Sequence, residues 1–323
     1  MLTEIQKDKI KGTIYGQAIG DALGLGTEFM SMDEVQIYYQ NGLTNYGEII
    51  QDDHRCRWKR GDWTDDTDQA VCIIESIFED GDISPEHFAA KLYQWFQGSP
   101  MGIGLTVYKV LSMPKFTSNF RDAAELVWKM SGRKSAANGA IMRTSIIGVW
   151  DYWNRATVWA NAEKISKVTH FDPRCVGSSV IVSEAIRSIV NNGILLTAND
   201  FIKIADKYDS SIGPYIQLAS KDDLENLNLD DKDSMGYTLK TMAAGLWAYF
   251  HAKDFNDGLK RIIHQGGDAD TNGAVAGSLL GAKFGFKTIP ENYVQGLIRN
   301  NELNEMIERL TSMIEQRLIK NMK

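Results

Sequence analysis

Two runs of glycine at every fourth position constrain this chain more than anything else in it. Gly12, Gly16, Gly20 and Gly24 stand in KIKGTIYGQAIGDALG, and Gly273, Gly277, Gly281 and Gly285 in GGDADTNGAVAGSLLGAKFG, residues 266–285. A spacing of four puts each set on one side of an α-helix, where every glycine costs about 1 kcal/mol against alanine. That cost makes sense where another backbone or a ligand comes very close. The two stripes are therefore expected to pack on each other, bringing residues 21–28 near 268–271. Ile10, Ile14, Ala18 and Leu25 give the first helix an apolar edge, so it should be buried.

The second stripe follows a cluster of oxygen donors. Asp268, Asp270 and Thr271 offer the hard ligands that Mg²⁺ or Mn²⁺ prefers, and Gly266 and Gly267 let the backbone bend tightly around an ion or a phosphate. Taken alone, the segment reads equally well as a capped turn at a helix start. An EF-hand loop would need a glutamate where Leu279 stands, and a phosphatase-type aspartate would need a buried strand in place of the short, polar RIIHQGG. A similar cluster, Thr64, Asp65 and Asp66, opens GDWTDDTDQAVCIIESIFED. There Thr64 is expected to cap a helix carrying Val71, Ile74 and Phe78 on one face. The diphosphate-binding DDxxD pattern fails at Gln69. Two such clusters at two helix starts can enclose a pair of cations, whereas bare carboxylates brought together would repel. Asp21 and Glu28, just behind the first stripe, are further acidic candidates, Glu28 ahead of Asp21.

Elsewhere the apolar period is helical and no alternating strand stands out, so the chain reads as all-α. Helices are expected across SPEHFAAKLYQWFQG, NFRDAAELVWKM, 174–193, 199–207, 236–251 and 303–319, the last with Leu303, Met306, Leu310, Met313 and Ile314 facing the core or a second subunit. Residues 31–62 read as a long loop and 221–234 as a solvated acidic connector. Gly102 and Gly104 sit at the mouth of one helix, and Ser135, Asn138 and Gly139 ahead of another, where backbone N–H groups could meet an anion. His170, at the end of a helix, reads as a cap or a site residue. A net charge of −7 and no long basic run argue against a nucleic-acid or anionic-membrane surface. Three cysteines without CxxC spacing, no signal-peptide pattern and no apolar stretch of about 20 residues point to a cytoplasmic protein.

With these motifs in order, the sequence resembles the ADP-ribosylglycohydrolases. The resemblance runs from Gly12 to about Gly285 and rests on GxxxGDALGxxxE at 16–28, WTDDT at 63–67, NGAIMR at 138–143, TH at 169–170 and the stretch 266–285. It implies one compact, orthogonal all-α domain over 1–323 with two divalent cations, Mg²⁺ or Mn²⁺. Thr64, Asp65, Asp66, Asp268, Asp270 and Thr271 would hold the metals, and Glu28 or Asp66 would act in catalysis. Gly102, Gly104, Ser135, Asn138, Gly139 and His170 would line the substrate groove. The implied partners are ADP-ribose and ADP-ribosylated protein, with arginine the first-choice acceptor and serine- or O-acetyl-linked ADP-ribose the alternatives, and the chain acting as a monomer. A non-catalytic ADP-ribose binder is the competing reading. One departure stands out: several bacterial members have an Asp-x-Gly-x-x-Thr segment whose acidic position here reads Gly102.

Overall fold

Thr3 starts the first helix, Glu4–Gly24, by a reciprocal cap: its hydroxyl accepts from the Gln6 N–H while the Gln6 side chain accepts from the Thr3 N–H. This helix runs antiparallel against a second glycine helix, Ala269–Phe284. A Cβ on Gly16 would stand 2.1 Å from the carbonyl oxygen of Gly277, one on Gly20 1.9 Å from that of Gly273, and one on Gly281 1.9 Å from that of Gly12. The backbones touch, as the stripes require. The register differs at the ends. Gly24 meets the carbonyl of Ala269, and Gly285 closes its helix at φ 88° against the Asp8 carboxylate instead of joining the stripe.

The computed structural model describes residues 1–321 and contains sixteen α-helices with short 3₁₀ turns between them. Among the described residues the β structure amounts to one bridge, Ala137 to Tyr237. Both glycine helices are buried along most of their length and form the centre of the molecule. The helix Thr238–His251 lays Gly245 on Val275 and Leu279, and Phe255–Ile263 buries Phe255, Leu259, Ile262 and Ile263 beside it. The helix Pro173–Asn192, begun by the Asp172 side chain, packs Ile186 onto Gly148. Outer helices such as Pro85–Gln97 and Asn300–Asn321 bury one face only. In the latter, Leu303, Leu310 and Ile314 are buried in the core and Met306 and Met313 pack against it, so the apolar face is taken up within the chain.

Two expectations need correction. Residues 31–62 are not one irregular loop: they contain a helix, Met32–Tyr38, and 3₁₀ turns at Tyr46–Glu48 and Arg55–Arg57. That helix buries only Val35, which is too little to leave a period in the sequence. The 221–234 connector is anchored, because Leu224, Leu227 and Leu229 are buried under an otherwise exposed, acidic surface. No helix of the described residues is long and apolar enough to cross a membrane.

Candidate active site

The close approach of the glycine helices sets Asp21 beside the start of the helix Asp65–Asp80. The Asp21 carboxylate accepts from the Thr64 N–H at 2.9 Å, from the Thr67 N–H at 2.9 Å and from the Thr67 hydroxyl at 2.6 Å. Asp21 therefore does the capping that local sequence assigns to Thr64, whose side chain makes no cap bond. Freed from that duty, the Thr64 hydroxyl lies 3.3 Å from Asp66 and 3.4 Å from Asp270.

Glu28 is brought in by a backbone pairing. The Phe29 N–H donates to the Gly267 carbonyl and the Gly267 N–H to that of Met30. Gly266 and Gly267 have φ of 66° and 67°, and a Cβ on either would come within 2.1 Å of the carbonyl oxygen of Met30 or Leu229. Both positions demand glycine. Buried Arg55 clamps the same segment, its Nε donating to the Gly26 carbonyl at 2.9 Å and Nη2 to that of Glu28. His54 Nε2 lies 2.6 Å from the Glu28 carboxylate.

As a result, one carboxylate oxygen from each of Asp21, Asp66 and Asp270 lies within 4.8 Å of the others, and Glu28, Asp268 and Asp270 meet the same limit. Asp270 belongs to both triads. Thr271 Oγ1 is 3.4 Å from Asp66, and Asn138 Nδ2 donates to Asp268 at 2.6 Å and to the Thr241 hydroxyl at 2.9 Å. Burial, and then mutual repulsion, pushes the carboxyls up: Asp66 and Asp270 well above the ordinary range, Asp65 to about 7 and Asp268 to about 6. Burial likewise raises Asp21 to about 7 against the hydrogen bonds from Thr64 and Thr67 that oppose it. Asp66 Oδ1 is buried and has no hydrogen-bond partner. An all-oxygen donor set, crowded carboxylates and an orphaned oxygen fit divalent cations.

These side chains floor a cleft of about 630 Å³. Its lining takes in Glu28, Thr64, Asp65, Asp66, Asp268, Asp270 and Thr271, together with Gly102, Gly104, Asn138, Gly139 and His170. Ser135 is not in the wall; its hydroxyl pairs at 3.2 Å with that of Thr106, which is. His170 lies past the end of the helix Arg155–Ser166 in the approach to the next, its N–H on the Ser166 carbonyl and its ring in the cleft wall. Gly102 faces Asp65 closely: a Cβ there would be 3.2 Å from Oδ1. A roomier cleft of about 870 Å³, lined by Gln36, Lys221, Lys260 and His264 among others, contains none of the clustered carboxylates, so volume does not mark the site.

Asp21 ranks behind Glu28 in the sequence, and three residues of the site carry no signal there: His54, Arg55 and Trp58, the last in the cleft wall 3.3 Å from where a Cβ on Gly102 would stand. The GDALG segment carries a signal for Asp21; the three others sit in a stretch with no period to flag them.

The family model described as ADP-ribosylglycohydrolase matches residues 2–318 of this glycine-paired all-α fold. The chain belongs to the ADP-ribosylglycohydrolase family and is an enzyme that hydrolyses ADP-ribose linkages. It is 25% identical to the ADP-ribosylarginine hydrolase Tri1 of Serratia proteamaculans, over 95% of this chain and 80% of that one. It is 24% identical to the ADP-ribosyl-[dinitrogen reductase] glycohydrolase of Rhodospirillum rubrum, over 90% of each. Among solved structures, an ADP-ribosylglycohydrolase-related protein complex shares the fold with a TM-score of 0.73 at 22% identity, covering 97% of this chain and all of that one.

Proposed function

We propose that the chain releases ADP-ribose from arginine side chains of protein, using two Mg²⁺ or Mn²⁺ ions held by Thr64, Asp65, Asp66, Asp268, Asp270 and Thr271. The observation that carries this reading is Asp270, which lines the cleft and is shared between two clusters of three carboxylates. Arginine is favoured by the name of the Serratia relative and by the acidic floor, which suits a guanidinium.

Bound cations would polarise the ribose hydroxyls and lower the pKa of a water. The chain's own groups do the rest. Asn138 and Gly139, with the glycine loop at 102–104, line the wall expected to take the diphosphate, and His170 the wall nearer the ribose. Hydrolysis breaks the bond from the anomeric carbon to the guanidine nitrogen, places a water oxygen on that carbon and returns a proton to the leaving nitrogen. Gly102 carries no base, so Glu28 or Asp66 takes the proton from water. Glu28 is steadied by His54, and Asp66 keeps one oxygen free of other bonds. On this reading residues 1–323 work as one catalytic domain and as a monomer.

The test is a release assay on arginine-, serine- and acetyl-linked ADP-ribose, paired with calorimetry against ADP-ribose. Release from arginine, lost in Glu28→Gln, supports the proposal. Release from serine alone would overturn the acceptor, and binding without release from any substrate would make the chain a non-catalytic binder.

A further inference from the structure

Arg143 is completely buried, and among the described residues no carboxylate pairs with it. A lone buried guanidinium is costly, so its place in the fold calls for a reason. Burial lowers its pKa to about 9, which leaves it charged at neutral pH. It stands 4.9 Å from the Phe88 ring centre and uses Nη2 toward the Ile165 carbonyl at 3.4 Å, in the last turn of the helix Arg155–Ser166, where the helix dipole favours a cation.

Its two short bonds run to the helix Asp65–Asp80 and to the turn that follows Arg155–Ser166. Nη1 donates to Gln69 Oε1 at 2.6 Å, and Nη2 to Thr169 Oγ1 at 2.6 Å. Arginine has no acceptor atom, so each partner must accept from it. Gln69 is then turned with its amide nitrogen outward, and Nε2 donates to Asp65 Oδ2 at 3.0 Å. Thr169, 1% exposed, has one hydroxyl proton to place, and His170 Nδ1, 2.8 Å away, is the acceptor in reach. That puts the imidazole proton on Nε2. His170 is 2% exposed, lines the cleft and leaves Nε2 without a partner. Gly139 keeps that atom uncovered: a Cβ there would stand 2.9 Å from Cε1 and 3.3 Å from Nε2 of the ring.

We propose that Arg143 is a positioning residue that, through Thr169, fixes His170 as a neutral Nε2–H donor aimed at an oxygen of the ligand, and through Gln69 holds the Asp65 carboxylate. The ligand's identity rests on the function proposed above; the tautomer does not. Burial first, and Arg143 second, push the His170 pKa down to about 3, in keeping with a neutral ring.

The experiment uses the full chain labelled with ¹⁵N-histidine. Its five histidines are sorted by comparison with His170→Asn, and one-bond and two-bond H–N correlations read the tautomer at pH 7. Nδ1 should be bare and Nε2 protonated. Thr169→Val should lose the single tautomer and weaken ADP-ribose binding by about tenfold, the worth of one hydrogen bond, while Thr169→Ser restores both. A proton on Nδ1 in the unaltered chain would overturn the proposal, as would Thr169→Val keeping both tautomer and affinity. Should Thr169→Val fail to fold, the tautomer of the unaltered chain still decides. If that chain shows the expected tautomer yet does not bind ADP-ribose, the ligand reading fails and the tautomer assignment stands.

Discussion

Four aspartates of the cleft, Asp65, Asp66, Asp268 and Asp270, and Asp21 buried beside them have carboxyls whose pKa is raised by burial, which ties stability to pH in a definite direction. A carboxyl that is harder to ionise in the folded state than in the unfolded chain favours the fold while protonated and opposes it once ionised. Asp268, raised to about 6, and Asp21 and Asp65, raised to about 7, place that loss between about pH 4 and pH 7, with Asp66 and Asp270 extending it upward. Stripped with a chelator, the protein is expected to melt at a lower temperature at pH 8 than at pH 5, and added Mn²⁺ should cancel most of that fall. Thermal scans with and without chelator check it; a flat profile would mean the carboxyls are not buried together. Asp268, Asp270 and Thr271 were legible because ligand spacing is a local property of the sequence. Asp21 was legible as an acidic candidate but its capping role was not, since its partners, Thr64 and Thr67, lie on another helix. The cap assigned to Thr64 failed for the same reason: a carboxylate arriving from outside satisfied the helix start and released the hydroxyl.

At the scale of the element, the glycine pair is the part of the fold most readable in advance, because four-residue spacing leaves few uses other than close packing. Gly20→Ala puts a methyl 1.9 Å from the Gly273 carbonyl oxygen, an overlap with backbone that no rotamer relieves. It should cost roughly 2–3 kcal/mol despite the better helix propensity of alanine, and should lower activity by spreading the carboxylates. Gly213, in the first turn of the helix Ile212–Ala219 and directly before Pro214, meets nothing within 4 Å of a Cβ beyond its chain neighbours, so Gly213→Ala should change stability by less than about 1 kcal/mol. Denaturant unfolding of the two variants gives the comparison; equal effects would show that helix propensity outweighs the approach. What stayed illegible was the helix Met32–Tyr38, held by a Ser31–Glu34 capping box with a single buried residue and no apolar stripe.

Over the whole molecule, the cleft is rimmed by exposed apolar side chains, with Phe29 54%, Met101 51% and Leu105 66% accessible. This rim belongs to the segments whose sequence said least, since a surface loop carries no periodic signal. A protein substrate meets it before the floor, so Leu105→Ser should raise KM for a modified protein severalfold while the affinity for free ADP-ribose stays within about twofold. Kinetics with both ligands separate the effects, and equal losses would place Leu105 in the ADP-ribose site instead. The proposed function makes hydrolysis depend on cations held by the carboxylates that the glycine helices gather. The most direct measurement is ADP-ribose release from arginine-modified protein by the chelator-stripped chain as Mn²⁺ is added back, with Asp270→Ala in parallel. No turnover is expected without metal, with recovery once it is added and at least roughly 100-fold loss in Asp270→Ala at every Mn²⁺ concentration. Full turnover in chelator, or an Asp270→Ala variant that matches the unaltered chain, would contradict it.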